Sequence, residues 1–238
     1  MKSATLQRIV ELVVQGRSIG AVTDLASGQQ AIIENGRCDA GITLSHDQLA
    51  EALRMVAADR SGVIEGTTFF VRGYAAAVKL VVVGAVHIGQ ALVPMARLAG
   101  FNVVVIDPRS AFVKASGFVG ADGIETIDAW PDEAMRKLSL DTRTAVVTLT
   151  HDPKLDDPAL AAALAAPVFY IGALGSRTTH VKRLARLKGL GCTDADLSRI
   201  HGPVGLDINA VTPAEIAVSI MAQVVQVLRA NSGRKAAG

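Results

Sequence analysis

Four apolar stretches of this sequence are each followed by a side chain that could bind a ligand or move a proton. These side chains are His87, Asp107, His151 and Ser176. Imidazoles titrate near neutral pH, carboxylates accept hydrogen bonds, and a serine at a helix start accompanies backbone amides that bind anions. If the apolar stretches are parallel strands, their carboxyl ends share one edge of the sheet, where ligands bind. We therefore expect the four side chains to converge.

The stretch from Lys79 to Leu92 predicts a strand, a phosphate-binding turn and a helix in succession. Four apolar residues, three of them β-branched, precede Gly84, and apolar residues at helical spacing follow. Backbone N–H groups at the helix start would face a ligand phosphate. Val86 occupies the place of the middle glycine that normally lets the backbone approach a pyrophosphate. The turn is predicted; dinucleotide binding does not follow from it.

The polar candidates each have a structural alternative. Asp107 stands at the spacing where dinucleotide folds place an acid for ribose hydroxyls, but with Pro108 it could equally cap a loop. His87 and His151 could act on a ligand or serve as hydrogen-bonding residues of loops. The basic residues of the helix predicted over 178–188, among them Arg183, favour a solvated face over an anion site.

Neither a nucleophilic triad nor a zinc motif can be assembled, so we predict no catalytic residue and no metal site. Cys38 and Cys192 lack CxxC spacing and fall in different predicted domains, which favours reduced thiols. A net charge of +2 gives no reason to expect nucleic acid as a partner. Arg8 and Glu11 interrupt the apolar start, and we find neither a signal peptide nor a membrane span, which predicts a cytoplasmic protein.

The order of predicted elements indicates an α/β chain with two domains. A small α+β N-terminal domain is expected over 1–76, followed by a Rossmann-like parallel sheet domain over 77–238. The larger domain is predicted from these segments: strands at 79–83, 102–106, 124–127, 144–149 and 168–171, and helices at 90–100, 132–138, 156–165, 178–188 and 213–230. Residues 199–208 show no periodicity and predict a loop.

Several motifs in one order resemble the XdhC/CoxI family of accessory proteins for molybdenum hydroxylases. They are V-V-V-G-A-V-H-I-G-Q-A-L, V-I-D-P-R, L-T-H-D, Y-I-G-A-L-G-S-R and R-I-H-G-P-V-G-L-D-I-N-A-V-T-P-A-E-I-A-V-S-I. The resemblance covers Leu80 to about Leu228 and implies a Rossmann-like domain that binds molybdenum cofactor, more as a chaperone than as an enzyme. It implies help with cofactor sulfuration, where a cysteine desulfurase is a possible partner, and transfer to an apo molybdenum hydroxylase such as xanthine dehydrogenase. A homodimer formed through the N-terminal domain is plausible by the same analogy.

Motif positions carry a set of cofactor-binding candidates over to this chain. They are Gly84, His87, Gly89, Asp107, Thr150, His151, Gly175, Ser176, Arg177, His201, Gly205 and Asp207. The chain departs from the family at Val86, where members commonly have glycine, and around 41–48, where a cysteine motif is absent and Cys38 is offset. A role for a thiol from that motif is therefore not expected.

Two other functions remain open from the sequence. An NAD(P)-dependent oxidoreductase would place Asp107 on the ribose and use His151 as proton donor. Val86 and the absence of an obvious Tyr/Lys or Ser/Lys pair count against it. A family member that has lost ligand binding and serves as a protein-interaction module is the third possibility.

Overall fold

The computed structural model describes residues 3–39 and 41–231. Its helices are α1 (Ser3–Val14), α2 (His46–Ala57), α3 (His87–Leu98), α4 (Ser110–Ala115), α5 (Pro131–Lys137), α6 (Pro153–Leu164), α7 (Arg177–Gly189), α8 (Asp194–Leu197) and α9 (Pro213–Asn231). Its strands are β1 (Ile19–Asp24), β2 (Gln30–Glu34), β3 (Arg37–Cys38), β4 (Ser61–Val63), β5 (Phe69–Tyr74), β6 (Lys79–Val83), β7 (Asn102–Ile106), β8 (Ile124–Ile127), β9 (Thr144–Thr148), β10 (Tyr170–Ala173) and β11 (Ile200–His201). None of the helices described is long and apolar enough to cross a membrane.

The described residues form two compact units. One contains the chain up to Ala76 together with residues 229–231, and the other extends from Ala77 to Leu228. The first unit holds an antiparallel sheet in the order β3-β2-β1-β5-β4. Helix α2 packs on it, and the N-cap residue Ser45 forms a capping box with Gln48.

The second unit is built on a parallel sheet in the order β11-β10-β9-β6-β7-β8. The chain winds outward from β6 to β8, returns to β9 beside β6, and winds outward again to β11. The predicted α/β class with a Rossmann-like parallel sheet is therefore confirmed. The strand order reverses between β6 and β9, which is where such sheets open a crevice for ligands.

Strand β6 is buried on both faces, as its unbroken apolar sequence predicts. Leu80 and Val82 pack into the core that includes Leu92 of α3 and Ile220 of α9. Val81 and Val83 point to the opposite core, which includes residues of α6 such as Leu160. Alternate side chains of one strand thus hold a helical layer on each face of the sheet.

The clearest differences from the sequence prediction concern β11, α3 and α4. Residues 199–208 are not entirely a loop, because Ile200 and His201 form β11 and pair with Ile171 and Gly172. Such a pair depends on a neighbouring strand and has no local periodicity. Helix α3 begins at His87 rather than at residue 90, and the short helix α4 was not predicted at all.

Glycines at facing positions of β1 and β5 let helix α2 lie close to the N-terminal sheet. Gly20 pairs with Gly73, and a Cβ at Gly73 would stand 2.7 Å from the carbonyl oxygen of Arg60 and 3.2 Å from Cα of Val56. These are backbone atoms, which cannot rotate away as a side chain can. The approach of α2 therefore depends on the missing side chain.

We expect Gly73→Ala to lower the free energy of unfolding by about 1 to 3 kcal/mol, the usual cost of inserting a methyl group into a packed site. Gly62→Ala is the matched control in the adjacent strand, because its Cβ would meet only the flexible end of Met55 at 3.4 Å. Urea denaturation followed by circular dichroism measures both. Equal stability of the two variants would contradict the interpretation.

Candidate functional site

The turn after β6 touches the loop after β9 through a glycine. Gly84 has a φ of +111°, and a Cβ there would stand 2.6 Å from Cγ2 of Thr150. Its amide donates to the carbonyl of Ile106 at 2.9 Å, which ties the turn to the end of β7. Any side chain at position 84 would be strained and would push the two loops apart.

The start of α3 presents backbone rather than side-chain donors. Val86 is the N-cap residue in extended conformation, and no side chain in the described part of the chain caps the helix. The side chain of Val86 packs partly against the core. His87 is exposed in the first turn, and Gly89 is buried near the carbonyl oxygen of Gly84. The first amides of α3 therefore suit an anion.

Asp107 follows β7 and is fully buried. Its Oδ2 accepts from the amide of Ala85 at 2.8 Å and from Nη2 of Arg109 at 2.7 Å. Its Oδ1 accepts from the amide of Arg109 at 3.0 Å and from Nε of Arg109 at 2.8 Å. An ionised carboxylate offers about four lone-pair positions, and four protein donors fill them. Asp107 thus holds the loops after β6 and β7 together, as in the loop-capping interpretation, and ribose binding by it stays a prediction.

The charge on Asp107 is stabilised by these same contacts. Burial alone would raise its pKa, but hydrogen bonds from Arg109 and from the Ala85 amide bring the pKa of the carboxyl below its ordinary value. The pKa of Arg109 is raised, first by its hydrogen bond to Asp107 and further by the charges of Asp152 and Asp156. The loops after β7 and β9 share one edge of the sheet because both strands run parallel to β6.

The loop after β9 bends at His151. This residue is exposed and has a φ of +61°, a left-handed conformation that is uncommon for a residue other than glycine. Thr150 beside it donates from Oγ1 to Oδ1 of Asp156 at 2.6 Å. Asp152 caps α6 by accepting from the amide of Lys154. The loop therefore exposes an imidazole while its neighbours hold the backbone.

Arg183 and Asp156 form a buried pair beneath the loops after β9 and β10. Nη2 of Arg183 lies 3.7 Å from Oδ2 of Asp156 and donates to the carbonyl of Leu174 at 2.6 Å. Oδ2 of Asp156 and both Nε and Nη1 of Arg183 have no hydrogen-bond partner within residues 3–39 and 41–231. Burial raises the pKa of Asp156 and lowers that of Arg183. Orphaned polar atoms of this kind mark a place for water or a ligand.

The loop after β10 begins α7. Gly175 lies against Thr179, and Ser176 caps the helix by accepting from the amide of Thr179 at 3.1 Å. Ser176 and Arg177 are both exposed. Through the bond from Arg183 to Leu174, this loop is connected to Asp156 and from there to Thr150.

The remaining candidates gather around Tyr170. The His201 ring stacks on Tyr170 with centroids 4.7 Å apart, and burial lowers the pKa of His201. Gly205 donates its amide to Oε1 of Gln223, which also accepts from the Tyr170 hydroxyl. These contacts serve packing of β10 against α9. Asp207 is exposed beyond them.

The structure thus brings most sequence candidates to one edge and adds three residues that were missed. The loops after β6, β7, β9 and β10 are joined through Asp107, Thr150 and the buried pair. The added residues are Arg109, Asp156 and Arg183. The solvated-face interpretation is wrong for Arg183, which is 1% exposed. Its spacing of four residues from the buried Leu187 places both on the inner face of α7, and this could have revealed it.

Metal binding and thiol chemistry find little support in the described residues. No group of three His, Cys, Asp or Glu side chains in ranges 3–39 and 41–231 lies close enough to hold a metal ion. Cys38 and Cys192 are free, and burial raises the pKa of both thiols. Neither is thereby activated as a thiolate.

Comparison with known proteins matches residues 80–224 to the family model described as the XdhC Rossmann domain. A Bacillus subtilis protein described as a probable xanthine dehydrogenase component is 34% identical over 67% of this chain and 46% of its own length. The molybdenum cofactor insertion chaperone PaoD of Escherichia coli is 40% identical over 42% of this chain and 31% of its own. The chain spans less than half the length of the curated relatives it matches.

A solved structure is similar over nearly the whole chain. It is the crystal structure of a xanthine dehydrogenase from Bacillus halodurans, with a TM-score of 0.76 and 28% sequence identity. The match covers 97% of this chain and 68% of that chain. The likeness therefore extends beyond the parallel sheet to the N-terminal residues.

We expect Asp107→Asn to lower the free energy of unfolding by about 2 to 4 kcal/mol at pH 7. The NH₂ group of the asparagine would face N–H donors that now bond to a carboxylate oxygen, and Arg109 would lose its charged partner. The folded pKa of Asp107 is lowered, so its contribution is present above the unfolded value of about 3.9 and is lost as the pH falls through the folded pKa. The difference in the free energy of unfolding between Asp107→Asn and the wild type should therefore shrink as the pH falls below about 3.9.

Urea denaturation at a series of pH values from 7 to 3 measures this difference. Asp132→Asn is the matched control, since Asp132 pairs with Arg136 at 3.2 Å on an exposed helix face and should change stability by less than about 1 kcal/mol. If Asp107→Asn lowered the free energy of unfolding by the same amount at every pH, the carboxylate charge would not be the cause of the destabilisation.

Proposed function

The chain belongs to the XdhC family, and from this premise we propose that it binds molybdenum cofactor and assists its sulfuration or its insertion into an apo molybdenum hydroxylase resembling xanthine dehydrogenase. The observation that carries the proposal is the reversal of strand order, which brings four loops to the carboxyl edge of the parallel sheet, where sheets of this kind bind ligands in a crevice. The names of the relatives from Bacillus subtilis and Escherichia coli support the accessory role.

The residues at this crevice fit a phosphorylated pterin. The uncapped first turn of α3 can accept a phosphate, with His87 beside it. Ser176 and Arg177 offer a second helix start. The orphaned atoms of Asp156 and Arg183 are buried beneath these loops and can pair with water held under a ligand. When bound, the cofactor supplies the molybdenum chemistry of the client enzyme, while this chain's residues hold and orient it.

The role we propose needs no bond-making step by this chain. Holding a cofactor for delivery requires binding that is specific but reversible, which backbone amides and a few polar side chains provide. We place this activity in the cytoplasm, with the apo hydroxylase as partner, a cysteine desulfurase as a possible second partner, and a homodimer as the working oligomeric state.

The oxidoreductase alternative has less support. It needs Asp107 on a ribose, but both oxygens of that carboxylate already accept two protein donors each. A ribose hydroxyl would have to displace one of them. The interaction-module alternative needs no ligand and is separated from the proposal by binding measurements.

Anaerobic calorimetric titration tests the proposal directly. We expect the purified protein to bind molybdenum cofactor with sub-micromolar to micromolar affinity and to bind NAD(P)H at least about 100-fold more weakly, a difference of about 2.7 kcal/mol. Added to apo hydroxylase together with cofactor, the protein should raise the recovered hydroxylase activity. Failure to bind the cofactor and to raise that activity would refute the role; binding of NAD(P)H alone would favour the oxidoreductase.

Val86→Gly separates a working phosphate turn from an interaction module. Val86 is half-buried, and the exposed part of its branched side chain lies in the turn. Without it the backbone can approach a phosphate more closely, so we expect affinity for inorganic pyrophosphate to rise by roughly three- to tenfold. Val119→Gly is the control, an exposed valine of a turn, and should leave affinity unchanged. Calorimetry measures both, and an unchanged affinity in Val86→Gly would favour the module.

A further inference from the structure

We propose that Arg109, rather than Asp107, is the residue after β7 that contacts the bound molecule, and that its guanidinium plane stacks on a fused heteroaromatic ring, the pterin of the cofactor. This inference rests on the proposed function, because it says which part of the cofactor lies at this point of the crevice. It gives Arg109 the ligand contact for which the motif positions put forward Asp107.

The guanidinium of Arg109 is held in a fixed plane. Two of its nitrogens, Nε and Nη2, donate to the two oxygens of Asp107 at 2.8 and 2.7 Å. Its Cζ lies 4.3 Å from the centroid of the Phe112 ring. The two hydrogen bonds to Asp107 fix one edge of the guanidinium, and the Phe112 ring covers one of its faces. The Arg109 side chain therefore loses little rotamer freedom when a ligand binds.

Part of the Arg109 side chain remains accessible, and we assign the stacking to the face opposite Phe112. The Arg109 side chain is 35% exposed although one edge and one face are covered. By contrast, the Asp107 carboxylate is fully buried and has its acceptor positions filled. A molecule entering the crevice therefore meets the arginine and not the aspartate.

The charges around Arg109 favour a neutral planar group over a phosphate. Asp107 already neutralises the guanidinium at contact distance. Asp152, the N-cap residue of α6, and Asp156 in its first turn also contribute to the raised pKa of Arg109. A phosphate placed here would approach three carboxylates, whereas an uncharged aromatic ring gains stacking and cation–π attraction without that repulsion. The phosphate is thereby directed to the amides of α3.

The test uses the full chain and the fluorescent, uncharged probe 6-hydroxymethylpterin, with binding read by fluorescence anisotropy. Arg109→Lys keeps a positive charge beside Asp107 but removes the planar fork, and we expect it to weaken pterin binding by roughly 5- to 30-fold. Affinity for inorganic pyrophosphate, measured by calorimetry, should change less than about twofold. Arg136→Lys is the matched control, an arginine paired with Asp132 on α5, and should bind the probe as wild type does.

Each outcome is decisive. Unchanged pterin affinity in Arg109→Lys, or a loss confined to pyrophosphate, overturns the inference, and so does failure of the wild-type protein to bind the probe. If Arg109→Lys lowers the thermal midpoint of unfolding, Phe112→Leu is tested instead, because that variant leaves the hydrogen bonds from Arg109 to Asp107 intact. We then expect pterin affinity alone to fall by about two- to fivefold. Unchanged pterin affinity in Phe112→Leu would overturn the inference.

The proposed function fails by a different measurement. If the wild-type protein binds molybdenum cofactor and raises hydroxylase activity while Arg109→Lys binds the probe normally, only the inference is wrong. If the wild-type protein neither binds the cofactor nor raises that activity, the proposed function itself is wrong.

Discussion

The crevice depends on one buried carboxylate. Asp107 can be ionised in the interior only because Arg109 faces it and backbone amides complete its shell, and the amide of Ala85 is one of those donors. That bond fixes the turn after β6, which in turn sets where α3 begins and brings Gly84 against Thr150. Removing the charge would therefore loosen the start of α3 and two loops together.

Much of the fold was predictable because its strands and helices have strong local patterns. The apolar run from Leu80 to Val83 predicts a strand covered on both faces, and the Thr212-Pro213 helix start predicts α9, since each depends only on nearby residues. Strand β11 could not be predicted in this way: it is two residues long and exists because β10 offers an edge. Helix α4 has only six residues, too few to show a period.

The site was predictable in position but not in the roles of its residues. Residues after parallel strands must lie at one edge, so the convergence of the loops followed from strand order alone. Asp107 could face a ligand only if its carboxylate were free, but the side chain of Arg109, two residues later, donates hydrogen bonds to it. The composition of the sequence gives no sign of these bonds. Arg183 is buried because Asp156 of another helix lies 3.7 Å away, a pairing between residues distant in sequence.

Internal pairing of charge at this edge of the sheet suits the reversible binding that the proposed role requires. Asp107 pairs with Arg109, Asp156 with Arg183, and Asp157 with Arg186 through two bonds of 2.5 and 2.9 Å. When a ligand dissociates, each of these carboxylates keeps its arginine partner. Dissociation therefore does not carry the large free-energy cost of leaving a buried charge uncompensated. What remains for the ligand is a set of backbone amides, a planar guanidinium and the exposed side chains of the loops. In the proposed role, binding by such groups would be selective through shape and hydrogen bonding, and its strength would be low enough for the cofactor to be passed to a tighter site.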